Sequence, residues 1–140
     1  MTLQVSPDTP PLVPFIKRGE GGQPYLAGSR CQACGHVFVG ERKVCAKCTA
    51  RDRIEAVKLA ETGKLYVFTV VYRSFPGTET PFIDAIVDLD DGSHLKGTLL
   101  GVNPDPQAIQ FGMPVKIAWR DATPVNAPGK PHLTYYFVPA

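Results

Sequence analysis

The chain has 140 residues, the usual length of one domain or two small units, and its formal charge of +2 indicates neither a polyanionic nor a polycationic partner. Apolar residues make up 44% and charged residues 20%, a composition that excludes a disordered chain, and 14 prolines with 13 glycines indicate many turns and hence β structure. No apolar run reaches the roughly 18 residues of a membrane span, and no basic-then-apolar leader begins the sequence, so we expect a cytoplasmic protein.

Residues 1–24 come first in chain order, and we predict an extended N-terminal arm there. Four prolines lie within its first 14 residues, which leaves little chance of a separate core. Residues 15–18 are predicted to form a short helical turn that the glycine-rich stretch 19–22 ends. Several apolar side chains nevertheless lie in this segment, and an exposed apolar cluster usually marks a partner surface. We therefore expect the arm to dock on another subunit, with Phe15 and Ile16 in the interface.

Residues 25–55 are predicted to form a zinc ribbon, because all four cysteines of the chain fall there in two C-x2-C pairs: Cys31, Cys34, Cys45 and Cys48. A two-residue gap lets both thiolates of a tight knuckle face one ion, and two knuckles complete a tetrahedral four-sulfur site. Gly35 follows the first pair and supplies the backbone freedom that such a knuckle needs.

Structural zinc is the favoured occupant of this site, since a reducing cytosol disfavours disulfides. Two disulfides, a redox C-x-x-C and a rubredoxin-type iron site remain alternatives at this point. Four cysteines close the coordination sphere, so we expect the metal to stabilise the segment rather than to perform chemistry.

The ribbon is also basic. Residues 31–60 hold six lysines and arginines against three acids, whereas residues 61–140 hold six against eight. Four basic residues lie close to the second cysteine pair in the sequence: Arg42, Lys43, Lys47 and Arg51. They are candidates to bind the phosphates of a coenzyme A nucleotide or a nucleic acid, or they form a solvated face.

Residues 56–140 show the pattern of a small β barrel, with strand-like runs about ten residues apart separated by turn signals. We predict strands at 63–73, 81–89, 93–100, 113–120 and 133–138, with a hairpin turn at 90–92 and a single helical turn near 107–110. Five strands with a short helix between the third and the fourth are the layout of an OB-fold. The fold class is therefore mainly β: an arm with a short helix, a four-cysteine zinc ribbon and a C-terminal OB-fold.

The first barrel strand is apolar on both of its faces. Either both faces are covered within the chain, or one of them meets a partner. If a partner is present, we expect its interface to contain four aromatic side chains: Tyr66, Phe68, Tyr72 and Phe75. Asp84 and Asp88 lie on the polar face of the second strand, where OB-folds bind oligonucleotides, and this charge disfavours nucleic acid.

Four strings of the sequence resemble a known family of domain-of-unknown-function proteins that join a rubredoxin-like zinc ribbon to an OB-fold. The strings are RCQACGHVFVGERKVCAKC, TGKLYVFTVVYR, PFIDAIVDLDDG and FGMPVKIAW, which span most of residues 15–120. One departure is that the family's ribbon often has a proline before its basic pair, where this chain has VGERKVC. The resemblance implies zinc on the four cysteines and a small accessory subunit of thiolase-like enzymes, such as benzoylsuccinyl-CoA thiolase, or of steroid side-chain aldolases or hydroxymethylglutaryl-CoA synthase-type enzymes.

The residues themselves predict no catalytic group. A thiolase needs a cysteine nucleophile and a histidine base, and every cysteine here is assigned to metal. Of the three histidines, His36 lies in the ribbon loop, where we expect it to be solvated or bonded to the backbone, and His94 and His132 have no candidate partner at readable spacing. We therefore expect a non-catalytic zinc protein that assists an acyl-CoA complex by assembly and coenzyme A binding, with a thiolase-like partner and no membrane. The alternative is a nucleic-acid-binding ribbon and OB module.

Overall fold

The structure is a computed structural model that describes residues 5–124 and 128–140. The first four residues of the predicted arm and residues 125–127 of the predicted barrel lie outside this description. The described strands are β1 Ile16–Arg18, β2 Pro24–Cys31, β3 Val37–Val39, β4 Ile54–Lys58, β5 Thr62–Val71, β6 Phe82–Leu89, β7 His94–Leu99, β8 Pro114–Ala122 and β9 His132–Pro139. Two 3-10 turns accompany them, at Glu20–Gly22 and Pro106–Ala108. Among the described residues, no helix has the length and apolar character needed to cross a membrane.

The N-terminal part of the chain forms a small antiparallel sheet around β2. Strand β2 pairs with β1 through Ile16 and Leu26, with β3 through Ser29 and Phe38, and with β4 along its C-terminal half. Strand β4 was not predicted, because its sequence has little hydrophobic alternation and its pairing partner lies more than 20 residues away. The sheet carries the first cysteine at the end of β2, so the ribbon is anchored on its longest strand.

The C-terminal part forms the predicted OB-fold barrel, closed among the described residues in the order β5-β6-β7-β9-β8. All five barrel strands predicted from the sequence are confirmed within a few residues of their predicted ends. The hairpin turn after β6 and the short helical turn before β8 are confirmed as well, the latter as the 3-10 turn Pro106–Ala108. Inward residues of β6 such as Val87 are fully buried, whereas Asp84 and Asp88 on the outward face are partly exposed.

A β-bulge in β5 explains why that strand reads as apolar on both faces. Leu65 pairs with Val87, but the next pair along the ladder is Val67 with Ile86, so Tyr66 is an extra residue. An extra residue reverses the alternation of side chains beyond it. Leu65 is therefore buried before the bulge, and Phe68 packs on the core after it.

The arm, which was predicted to have no core of its own, packs on the rest of its own chain. The backbone of Pro10 and Leu12 hydrogen bonds to both polar groups of Leu133 in β9. Ile16, predicted as an interface residue, is only 1% exposed because β1 pairs with β2 and directs it into the core. That assignment is wrong, as is the helical turn at 15–18, which is strand β1; the short helix of the arm lies at Glu20–Gly22.

Candidate metal centre and basic ribbon surface

The two cysteine pairs lie in knuckles with the same backbone hydrogen bonds. In the first, the amide of Gly35 donates to the carbonyl of Cys31 at 2.7 Å, and in the second the amide of Thr49 donates to the carbonyl of Cys45 at 2.8 Å. Gly35 has φ +80° and Thr49 has φ +65°, so the residue after each pair turns through the left-handed region. The first cysteine of each pair is buried and the second is exposed, so the two knuckles match in burial as well as in backbone.

The four sulfur atoms form one cluster. All lie within 4.8 Å of one another, and the Cys31–Cys48 and Cys34–Cys45 sulfurs are each 3.6 Å apart. Four sulfurs bound tetrahedrally at about 2.3 Å from an ion would be separated by about 3.8 Å. The donor set and its spacing therefore fit one tetrahedral metal ion held by both knuckles.

Backbone amides are directed at these sulfurs. The amide of Cys48 lies 3.4 Å from the Cys45 sulfur. Burial alone would raise the pKa of the Cys45 thiol, but the amides of Cys48 and Lys47 outweigh it and lower that pKa to about 7. The amide of Cys34 is the largest influence on Cys31 and lowers the pKa of its thiol. The first cysteine of each knuckle is thus stabilised as a thiolate, which is the form that binds a metal. At Cys48 the amide of Ala50 lowers the pKa, but burial and the neighbouring cysteine sulfurs outweigh it and raise that pKa to about 11.

The structure places the four predicted phosphate-binding cations around the second knuckle, all of them exposed. Arg51 lies opposite Val44 in an isolated bridge, and Lys47 occupies the knuckle itself. The guanidinium of Arg42 lies 5.3 Å from the centre of the Phe38 ring. Among the described residues, none of these four cations has a carboxylate within 4 Å, whereas Arg30 and Lys17 are paired with Glu55 and Glu41.

The four aromatic residues predicted for an interface do not share one face. Tyr66 is 59% exposed, and Tyr72 and Phe75, just beyond the end of β5, are 63% and 81% exposed. Phe68 is half-buried because the bulge turns it toward the core, so its assignment to the face of Tyr66 is wrong. Phe111, which no sequence pattern indicated, is 71% exposed, and its ring centre lies 5.3 Å from that of Phe68. Phe111 lies between the 3-10 turn and β8, outside any strand, so no alternation of apolar residues marks it.

The three histidines lie apart from one another. His36 contacts the Phe38 ring edge-on at 4.4 Å, His94 pairs with Asp88 at 2.7 Å across the outer face of the barrel, and His132 bonds the carbonyl of Lys130. Among the described residues, no hydrogen bond joins any of the three histidines to a cysteine sulfur. The residues of this site are suited to holding a metal ion and presenting positive charge.

Comparison with known proteins gives matches to both halves of this architecture. The family described as ChsH2, C-terminal OB-fold domain, matches residues 56–120. A DUF35 domain-containing scaffold protein of Methanocaldococcus jannaschii is 33% identical over 97 residues, which cover 68% of this chain and 67% of that protein. The benzoylsuccinyl-CoA thiolase subunit BbsA of Geobacter metallireducens is 37% identical over 82 residues, covering 59% of this chain and 55% of that subunit.

A solved structure described as Ltp2-ChsH2(DUF35) aldolase superposes with a TM-score of 0.63 and 29% sequence identity, covering 82% of this chain and 84% of that one. The fold and the cysteine cluster define a ribbon protein with a C-terminal OB-fold. The chain belongs to the DUF35 family.

Proposed function

We propose that this chain is the non-catalytic, zinc-containing subunit of a thiolase-like acyl-CoA complex in the cytoplasm. The complex would cleave a carbon–carbon bond of a CoA thioester by thiolysis or by an aldol-type reaction, and the acyl group would be aromatic, as in benzoylsuccinyl-CoA, or steroid-derived. The observation that carries the proposal is the likeness to two proteins whose names place them in such assemblies, BbsA and the Ltp2-ChsH2(DUF35) aldolase.

The cysteine cluster supports the non-catalytic part of the proposal. Acyl transfer in a thiolase uses a cysteine thiolate, and all four cysteines of this sequence lie within one cluster. We assign zinc to that cluster because it is redox-inert and prefers closed tetrahedral sulfur sites in structural roles. On this proposal the acylated cysteine belongs to the partner subunit.

The ribbon would contribute charge to coenzyme A binding. Coenzyme A carries a diphosphate and a 3′-phosphate, which lysine and arginine recognise through charge-assisted hydrogen bonds. The exposed cations of the second knuckle, Arg42, Lys43, Lys47 and Arg51, have no intramolecular carboxylate partner within the described parts of the chain, so they are available for these phosphates.

The barrel would contribute the partner interface. Tyr66, Tyr72 and Phe75 are more than half exposed, and exposed aromatic side chains are the usual anchors of protein interfaces. Phe15 is half-buried against Tyr135, so it would contribute only an edge to a partner contact.

The outer face of the barrel does not favour the alternative of nucleic-acid binding. Asp84 is paired with Lys96 at 3.3 Å and Asp88 with His94, which leaves the β6–β7 face without a net positive groove.

Reconstitution of the complex tests this function. The partner would be identified by copurification from the native source and mass spectrometry, and each subunit would then be purified separately. Cleavage of an acyl-CoA panel is expected only in the mixture, or far faster there, and loss of metal in Cys34→Ser should abolish the gain. Full activity of this chain alone, or a partner indifferent to its presence, would refute the proposal.

A further inference from the structure

Arg42 and Phe38 form a stack on the surface of the ribbon, and His36 contacts the same ring edge-on. The His36 ring contacts the Phe38 ring at 4.4 Å with an interplanar angle of 63°, and the Arg42 guanidinium lies over the same Phe38 ring. Phe38 and His36 are half-buried, whereas Arg42 is exposed. The guanidinium therefore lies over an aromatic ring on a side chain that is otherwise exposed to solvent.

The backbone around Arg42 is held in place by Ser29. The hydroxyl of this side chain, which is only 3% exposed, donates to the carbonyl of Gly40 at 2.6 Å and accepts from the amide of Arg42 at 3.1 Å. Ser29 also pairs with Phe38 across β2 and β3. The ring and the cation are thus fixed by the same strand pair, which lowers the conformational cost of placing a third layer on the stack.

The local charge suits an anionic ligand. Glu41, the acid closest in sequence to Arg42, lies 3.5 Å from Lys17 and is thereby partly neutralised. Lys43 follows directly, and Arg51 lies opposite Val44 in an isolated bridge, each without a carboxylate partner among the described residues. A planar, stackable cation with further cations close to it along the chain suits a base together with its phosphates.

We infer that the stack of Arg42 on Phe38, with His36 at the edge of the ring, is a platform for a purine base, and that its ligand is the adenosine bisphosphate end of coenzyme A. The base would stack on the Arg42 guanidinium, and its phosphates would lie toward Lys43 and Arg51. This inference rests on the proposed function for the choice of coenzyme A, and it assigns a base-recognition element that the phosphate-binding cations alone do not provide.

Calorimetric titration of the metal-loaded full chain with adenosine 3′,5′-bisphosphate tests the platform directly, without any partner. We expect saturable binding, weaker binding of inorganic pyrophosphate, and no binding of pantetheine, which lacks the nucleotide. Adenosine triphosphate, which shares the base and differs in phosphate placement, should bind no more tightly than the bisphosphate.

Two variants separate stacking from charge. Arg42→Lys keeps the positive charge and removes the planar guanidinium, so the dissociation constant should rise at least about fivefold, the lower end of what stacking one base contributes. Arg53→Lys is the matched control, an exposed ribbon arginine outside the stack, and should change it less than about twofold. Phe38→Leu should act like Arg42→Lys, and its metal content reports whether the ribbon is still folded.

Equal effects of Arg42→Lys and Arg53→Lys, or equal binding of pyrophosphate and the bisphosphate, would overturn the platform in favour of a simple phosphate patch. Much tighter binding of adenosine triphosphate or of an adenine oligonucleotide would overturn the assignment to coenzyme A. If the bisphosphate fails to bind while the chain still activates its partner in the mixture assay, the platform is wrong and the proposed function is retained.

Discussion

The residue that follows each cysteine pair sets the backbone of its knuckle, and exchanging residue types there should change metal retention. Gly35 has φ +80°, and no atom lies within 4 Å of where its Cβ would be. The cost of Gly35→Ala is therefore purely conformational. A left-handed conformation costs an L-residue about 1–2 kcal/mol relative to glycine.

This conformational cost should appear in the metal affinity. Metal binding and folding of a small four-sulfur unit are the same equilibrium, so destabilising the folded knuckle weakens binding by the same free energy. At about 1.4 kcal/mol per tenfold, Gly35→Ala should weaken zinc binding by about five- to thirtyfold. Thr49 carries the corresponding strain in the second knuckle, at φ +65°. Thr49→Gly should strengthen binding, by less than this amount because glycine has the more flexible unfolded chain.

Competition with a chromophoric chelator measures these affinities, and Gly112→Ala is the matched control. Gly112 also has φ +80° and no atom within 4 Å of its Cβ position, but it lies in the barrel before β8. It should lower the melting temperature without changing the zinc affinity. If Gly35→Ala and Gly112→Ala retain zinc equally well, the knuckle argument is refuted.

Three further predictions concern the barrel. Gly63→Ala would place a Cβ far inside contact distance of the carbonyl oxygen of Asp88, so chemical denaturation should show a loss of about 1–3 kcal/mol in the free energy of unfolding. The control Gly19→Ala meets only ordinary contacts and should lose under about 0.5 kcal/mol. Equal losses in the two variants would contradict the prediction. Burial alone would raise the pKa of Asp91, but the Ser93 hydroxyl and the amides of Ala60 and Ser93 outweigh it and lower the pKa. A lowered carboxyl pKa stabilises the folded state above the unfolded pKa of about 3.9 and loses this effect as the pH falls through the folded value. Asp91→Ala should therefore cost about 1–2 kcal/mol at pH 7, allowing for solvent screening of a partly exposed carboxylate, and progressively less in acid, whereas a pH-independent cost would argue against it. Phe75→Ser should leave the melting temperature within a few degrees, because the side chain is 81% exposed, and weaken binding to the purified partner at least about tenfold; unchanged affinity would remove this residue from the interface.

Local spacing and alternation were enough to predict the ribbon cysteines and the barrel strands. Two C-x2-C pairs close a site within 18 residues of chain, and the alternation of β6 separates a buried face from a charged one. Both patterns follow from neighbouring residues, because a knuckle and a half-buried strand are each specified by their own sequence. Cys31, Cys34, Cys45 and Cys48 could therefore be grouped by their spacing alone, and the family could be recognised from the strings around them. The boundaries drawn at residues 24 and 55 stay a prediction.

Only the tertiary structure decided the faces of β5 and the place of the arm. The bulge at Tyr66 depends on the register between β5 and β6, and no residue type announces it, so the strand appeared apolar on both sides. The arm joins Leu133 by backbone hydrogen bonds, which leave no pattern in the side chains of a proline-rich segment. Ile16 was assigned to a partner because the pairing of β1 with β2, which buries this side chain, is likewise not visible in the sequence. The stack of Phe38 and Arg42 likewise depends on Ser29 of β2, which pairs with Phe38 and whose hydroxyl bonds the backbone of Gly40 and Arg42, and such bonds between distant segments are not visible in either segment alone.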